Sequence, residues 1–265
     1  MIPRRFIQEW TQHVPWQEPR QIEQDLLITT ALVKIYATNP LRSQIAFRGG
    51  TALNKIFFAK PLRYSEDIDL VQVSPGPIGD TLNLLQEVLD PFFETEPKRD
   101  FSTSCATLSY RVTSDDGFPL KIKVEINSRE HFSILGFVDH AFSCTSSWNG
   151  GKAIIRTYAI EEILATKLRA LYQRRKGRDL FDLYIALTTI PNLAVEKIIF
   201  CFEQYMRAEG NIITKKLLIE NLNTKLTHNA FLHDMVPLLA QSQEPFNPHQ
   251  AFDVLMDALI IPHMR

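Results

Sequence analysis

Apolar positions recur with two different periods along the chain, and the switches between them outline its elements. In residues 21–38, Ile22, Leu26, Val33 and Tyr36 fall at i, i+4, i+11 and i+14, one face of a helix that Asn39-Pro40 ends. A short strand is expected over 43–48, then a Gly49-Gly50 turn and a helix beginning at Thr51. The run Ile68 to Val73 favours a strand, Ser74 to Pro77 a turn, and Leu82, Leu85, Leu89, Phe92 and Phe93 the covering face of another helix. From residue 104 the period becomes 2: Ala106, Leu108, Tyr110 and Val112 share one side, Asp115-Asp116-Gly117 turns the chain, and Ile122, Val124 and Ile126 return on the core face. Short strands are expected over 133–137 and 153–157, on either side of a Ser/Asn/Gly-rich boundary at 146–151. Beyond Tyr158 the period is helical almost throughout, with segments over 159–175, 195–208, 214–226, 229–240 and 249–261.

The strand at Ile68 carries Asp67 and Asp69 on the face opposite Ile68 and Leu70. Two carboxylates so close repel unless a cation lies between them, and hard oxygen ligands suit Mg²⁺, or Mn²⁺, shared with substrate phosphates. Upstream, strand, Gly49-Gly50 and the helix starting at Thr51 form an anion-binding arrangement of unpaired N–H groups and a positive helix end. Arg63 and Ser65 add a charge and a hydroxyl. Lys121, Lys123, Glu125 and Asn127 share the outward face of the returning strand, and Glu125 becomes a third carboxylate if that strand lies beside Asp67 and Asp69. Otherwise it is a solvated strand edge.

In the first C-terminal helix Lys167 interrupts the stripe Ile160, Ile163, Leu164, Leu168 and Leu171, so its ammonium either snorkels or needs an anionic partner. The run Arg174-Arg175-Lys176-Gly177-Arg178 is a basic patch suited to a triphosphate or RNA backbone, or a solvated helix end stopped at Gly177. Asp179 is placed to cap the next helix, and Arg178 with Asp182 to form an i,i+4 pair.

With 265 residues, 45% hydrophobic and 22% charged, the chain holds one large domain or two modest ones. A net charge of -1 confines any nucleic-acid contact to a local patch. Cys105, Cys144 and Cys201 lie far apart without metal spacing and read as reduced thiols. The first ten residues lack a signal-peptide core and no run suits a membrane helix, so a cytoplasmic location is expected.

Gly-Gly-Thr-Ala-Leu at 49–53 with Arg-Tyr-Ser-Glu-Asp-Ile-Asp-Leu at 63–70 resembles the polymerase β-like nucleotidyltransferases, and within them the AbiEii group, toxins of type IV toxin-antitoxin systems. Lys-Val-Glu-Ile-Asn-Ser-Arg-Glu at 123–130, the segment around Lys167, and Arg-Asp-Leu-Phe-Asp-Leu at 178–183 resemble its further motifs, in order. The resemblance spans about 41–184; its one departure is the 16-residue gap between Gly50 and Asp67, long for the wider superfamily. It implies an α/β (α+β) nucleotidyltransferase core with a mixed sheet over 1–150, followed by a helical domain over 151–265 that completes the active-site cleft. It further implies Asp67, Asp69 and Glu125 as metal ligands, Gly49, Gly50, Thr51, Arg63, Ser65 and Lys167 as nucleotide-binding residues, and Asp179 as part of the active site. The expected reaction transfers NMP from an NTP to a hydroxyl of tRNA, another RNA or a protein, in a phage-defence toxin with a separately encoded antitoxin. Rivals are an antibiotic-modifying nucleotidyltransferase and a noncatalytic nucleotide-binding module.

Overall fold

The computed structural model describes residues 2–240 and 245–264. It separates into two compact units, Met1–Ser133 with Phe137–Tyr158, and Ile134–Gly136 with Ala159–Arg265.

The first unit runs α1 (Arg4–Trp10), α2 (Pro19–Ala37), α3 (Asn39–Gln44), β1 (Ile45–Arg48), α4 (Gly49–Ala52, continued by a π-helical turn Leu53–Phe57), β2 (Asp67–Gln72) and α5 (Gly79–Phe93). It continues through β3 (Lys98–Phe101), β4 (Cys105–Thr113), β5 (Pro119–Asn127), β6 (Phe137–Cys144) and β7 (Gly151–Tyr158). All seven strands form one sheet in the order β3-β4-β5-β2-β1-β7-β6, which puts β2 in the middle. β2 runs antiparallel to β1 and parallel to β5, so the sheet is mixed.

Alternation places the core. Ile68, Leu70, Ala106, Leu108, Ile122, Val124 and Ile126 are all 1% exposed or less. Each such leucine, isoleucine or valine side chain contributes about 1.5–3 kcal/mol on burial. Helix α2 starts at a proline, which needs no N–H partner in the first turn, and is buried nearly all round. Its polar residues are therefore bonded: Asp25 accepts from Trp10 Nε1 at 2.9 Å and Lys55 Nζ at 2.7 Å, and Gln24 Nε2 donates to the Lys121 carbonyl at 2.9 Å.

The second unit comprises α6 (Ile160–Gln173), α7 (Gly177–Thr189), α8 (Val195–Ala208), α9 (Lys215–Leu226), α10 (Asn229–Leu232), α11 (Pro248–Leu255, continued by a π-helical turn Met256–Ile260) and α12 (Ile261–His263). Its core includes Leu168, Leu171, Leu183, Ile198, Phe202 and Leu255, each fully buried. The α/β core with mixed sheet and the helical C-terminal part match the fold class read from the sequence.

Three local expectations are corrected. Residues 43–48 are not all strand, because Pro40 opens α3 and that helix continues to Gln44. No strand forms over 133–136: Gly136 adopts φ +86, and the Ile134 and Leu135 amides donate to Glu162 at 2.7 and 3.0 Å instead of to a ladder. The helix expected over 229–240 is only α10 followed by a 3-10 turn at Val236–Leu238, where Pro237 restarts the backbone without an N–H to give. The exposed edge strand β3 carries no burial alternation and left no sequence signal. Among the described residues no helix is long and apolar enough to cross a membrane.

Candidate active site

Asp67 and Asp69 stand at the start of the central strand, both partly exposed, while Ile68 between them is fully buried. Burial, then the charges of Asp69, Glu66 and Glu125, pushes the Asp67 carboxyl up from 3.8 to about 6, against the opposing pull of Lys123. Like charge is crowded around Asp67. The β2–β5 register sets Glu125 beside Asp69 and Lys123 beside Asp67, so a parallel pair carries three carboxylates and one ammonium on one face. Lys123 Nζ is ion-paired with Glu125 Oε1.

The glycine turn fits tightly against this face. Gly49 has φ +82, and a Cβ there would collide with Asp69 Oδ2; a Cβ on Gly50 would collide with Arg63 Nη2. Only glycine lets the turn lie directly on the carboxylate and the guanidinium. Gly49→Ala is expected to lower stability by roughly 1–2 kcal/mol from the left-handed φ alone, and to lose more activity than stability because Asp69 must move. Thermal unfolding alongside a transfer assay measures both.

The helix after the turn is held by α2 and by its own loop. Lys55 Nζ reaches Asp25 at 2.7 Å and Thr29 Oγ1 at 2.8 Å, Asn54 Nδ2 donates to the Arg63 carbonyl at 3.2 Å, and Tyr64 OH to Gln24 Oε1 at 2.6 Å. Arg63 is 3% exposed and donates from Nη1 to the Tyr64 carbonyl at 3.1 Å. Thr51 Oγ1 donates to the Asp67 carbonyl at 2.5 Å, so it must accept from Ser65 Oγ at 2.7 Å. Both hydroxyl protons are thus spent within the protein, bracing the turn against β2.

In the second unit, Lys167 Nζ meets Asp179 Oδ1 at 3.2 Å and Asp182 Oδ2 at 2.9 Å, with both carboxylates fully buried. Arg174 closes on Asp179 through Nε at 2.7 Å and Nη2 at 2.9 Å. Burial would raise the Asp179 carboxyl, but Lys167 and Arg174 outweigh it and hold it below its usual value. Lys167 therefore has the anionic partners its place in an apolar stripe demanded. Two local expectations are corrected: α7 begins at Gly177 without a side-chain cap from Asp179, and Asp182 pairs with Lys167, while Arg178 lies against Asp234.

A family profile described as the nucleotidyl transferase AbiEii toxin of type IV toxin-antitoxin systems matches residues 30–258. The chain belongs to the AbiEii nucleotidyltransferase toxin family. It is accordingly a nucleotidyltransferase, and the family implies an NTP substrate and an antitoxin partner. Its fold is similar to that of MenT4, a nucleotidyltransferase toxin from Mycobacterium tuberculosis, with TM-score 0.65 and 18% identity over 97% of this chain and 90% of that one. A structure from H. pylori described as a nucleotidyltransferase gives TM-score 0.51 and 16% identity over 89% of this chain and 92% of that one. No curated protein sequence matches.

Within this AbiEii chain, no three His, Cys, Asp or Glu side chains among the described residues gather as a ready metal cage. The donor set still fits Mg²⁺, which is commonly held by one or two carboxylates with substrate phosphates and water completing its shell. The charge crowding at Asp67 supports the same fit.

Sequence reasoning missed the ties that organise this face. Arg48, paired with Asp69 across β1 and β2, forms a 2.7 Å ion pair with Glu130, 82 positions away. Arg48 directly precedes the Gly-Gly motif and Glu130 is the last residue of the 123–130 motif, and those positions were the available signal. The Lys55 to Asp25 tie left no periodic trace.

The raised Asp67 value fixes a pH dependence for this AbiEii protein without metal. Below 3.8 the carboxyl is protonated in both folded and unfolded states; above that, the unfolded chain releases a proton that the fold retains. The Asp67 contribution to stability falls as pH rises through about 6 and then levels off. Asp67→Asn is expected to remove that decline, measured by urea unfolding in EDTA at either end of the window.

Proposed function

We propose that the protein transfers NMP from an NTP to an acceptor hydroxyl on tRNA, another RNA or a protein, as the toxin of an AbiE-like type IV system. The observation that carries this reading is the paired Asp67 and Asp69 in the central strand, with Glu125 in register beside them and the Gly49-Gly50 turn against Asp69 and Arg63.

Asp67 and Asp69, joined by Glu125, are assigned to the divalent cation. When bound, the cation supplies charge that lowers the acceptor hydroxyl's pKa and offsets the negative charge of the leaving pyrophosphate. The first-turn amides at Gly49, Gly50 and Thr51 face the phosphates as preorganised donors. Arg63, buried against Gly50, adds a fixed positive charge. Thr51 and Ser65 hold the turn to β2, so the amides keep their aim during reaction. Within the second unit Lys167 is held by Asp179 and Asp182, and a phosphate-binding role for it rests on the family resemblance alone. Glu125 is the candidate for orienting the acceptor or taking its proton.

The test supplies Mg²⁺, each α-labelled NTP in turn and total cellular RNA with protein, against a parallel panel of hydroxylated small molecules. Label in an RNA or protein band is the expected result. Pyrophosphate release that depends only on a small molecule would replace the toxin reading with that of a drug-modifying enzyme.

A further inference from the structure

Lys123 has no role in the reaction as described, yet it stands among the groups that do. Its register partner across β2 and β5 is Asp67, and that of Glu125 is Asp69. Residues two apart on a strand share a face, so Lys123 and the three carboxylates point the same way. The ammonium does not turn away to water: it pairs with Glu125, with both side chains 31% exposed. Exposed Glu66 adds a further negative charge nearby. The metal-free protein must hold these like charges together, and like charges at close range destabilise a fold.

We propose that Lys123 is the protein's own substitute cation for this face, holding Glu125 when no divalent cation is bound and competing with the cation for it. The proposal rests on the metal-dependent reading above. An ammonium on one oxygen of Glu125 repels a dication drawn to the same carboxylate, so entry of the cation requires Lys123 to let go. Lys123 is thus a positioning residue: it keeps Glu125 on the working face before loading, at the expense of metal affinity. A strand lysine that is merely solvated would affect neither metal affinity nor the stability of the metal-free protein.

The test titrates Mg²⁺ into the full-length wild type, Lys123→Met, Lys123→Arg and the Asp67→Ala/Asp69→Ala double variant by calorimetry, and follows thermal unfolding with and without Mg²⁺. Lys123→Met is expected to bind Mg²⁺ roughly 1.5- to fivefold more tightly, the range of a partly exposed ion pair. It is also expected to unfold at a lower temperature without metal and to gain more from metal than the wild type. Lys123→Arg, which keeps the charge, is expected to behave as the wild type. Lys123→Met binding Mg²⁺ equally or more weakly, or unfolding no earlier without metal, would overturn the proposal. If Lys123→Met fails to fold, Lys123→Gln is read against the same criteria. Wild-type Mg²⁺ binding by the double aspartate variant would instead show the carboxylate reading itself to be wrong.

Discussion

Asp69→Ala is expected to lower nucleotidyl transfer by about three orders of magnitude or more, in the range lost when a principal electrostatic group of an active site is removed. The side chain lies on the outward face of the central strand, and Ile68 and Leu70 on its other face carry the packing. Removing the carboxylate therefore leaves the core intact; it relieves like-charge repulsion at Asp67 and gives up the attraction between Asp69 and Arg48. Lost turnover from a protein that still unfolds cooperatively is the expected pattern. Turnover within a few-fold of wild type would end the assignment of Asp69.

Asp179→Ala is expected to act mainly on folding. Its carboxylate is fully buried and binds both Lys167 and Arg174. Truncation leaves the Lys167 ammonium, 8% exposed at its side chain, with one of its two carboxylate partners. Leaving a buried charge wholly uncompensated costs about 3–5 kcal/mol, and the remaining Asp182 partner keeps the loss below that range. The Arg174 contribution is small, because that side chain is 52% exposed and its charge is screened. The loss should appear as faster hydrogen exchange in α6 and α7, with the β-sheet of the first unit unchanged. Its pH dependence also has a definite sign. The folded carboxyl lies below its usual value of 3.8, so its contribution is present above that value and lost as pH falls through the lowered one. Unchanged exchange in α6 and α7 would mean that Lys167 finds other compensation.

These two residues show what the sequence could and could not convey. Asp67 and Asp69 are two apart in a strand, so a single local rule placed both on one face. The placement of Glu125 beside Asp69 needed a long-range pairing of β2 with β5; alternation supplied the face, and only the register supplied the neighbour. Lys167 stood out as a cation in an apolar stripe, yet its partners lie on the next helix, beyond reach of helical periodicity. Local rules favoured an Arg178–Asp182 pair and an Asp179 cap; the burial of Lys167 outweighed both, since an unpaired buried ammonium costs more than either gains. The braces of the glycine turn, from Thr51 to Asp67 and from Lys55 to Asp25, join groups with no common period. Residues 133–136 show a further limit: Ile134 and Leu135 look like strand, but buried Glu162 takes their amides.

The most direct test of the central claim incubates the wild type and the Asp67→Ala/Asp69→Ala variant with Mg²⁺, α-labelled NTPs and total cellular RNA, then resolves RNA and protein products. Label in a discrete RNA or protein band with the wild type and none with the variant is the predicted result. Equal labelling by both proteins, or nucleotide binding without transfer by the wild type across all four NTPs, would contradict it.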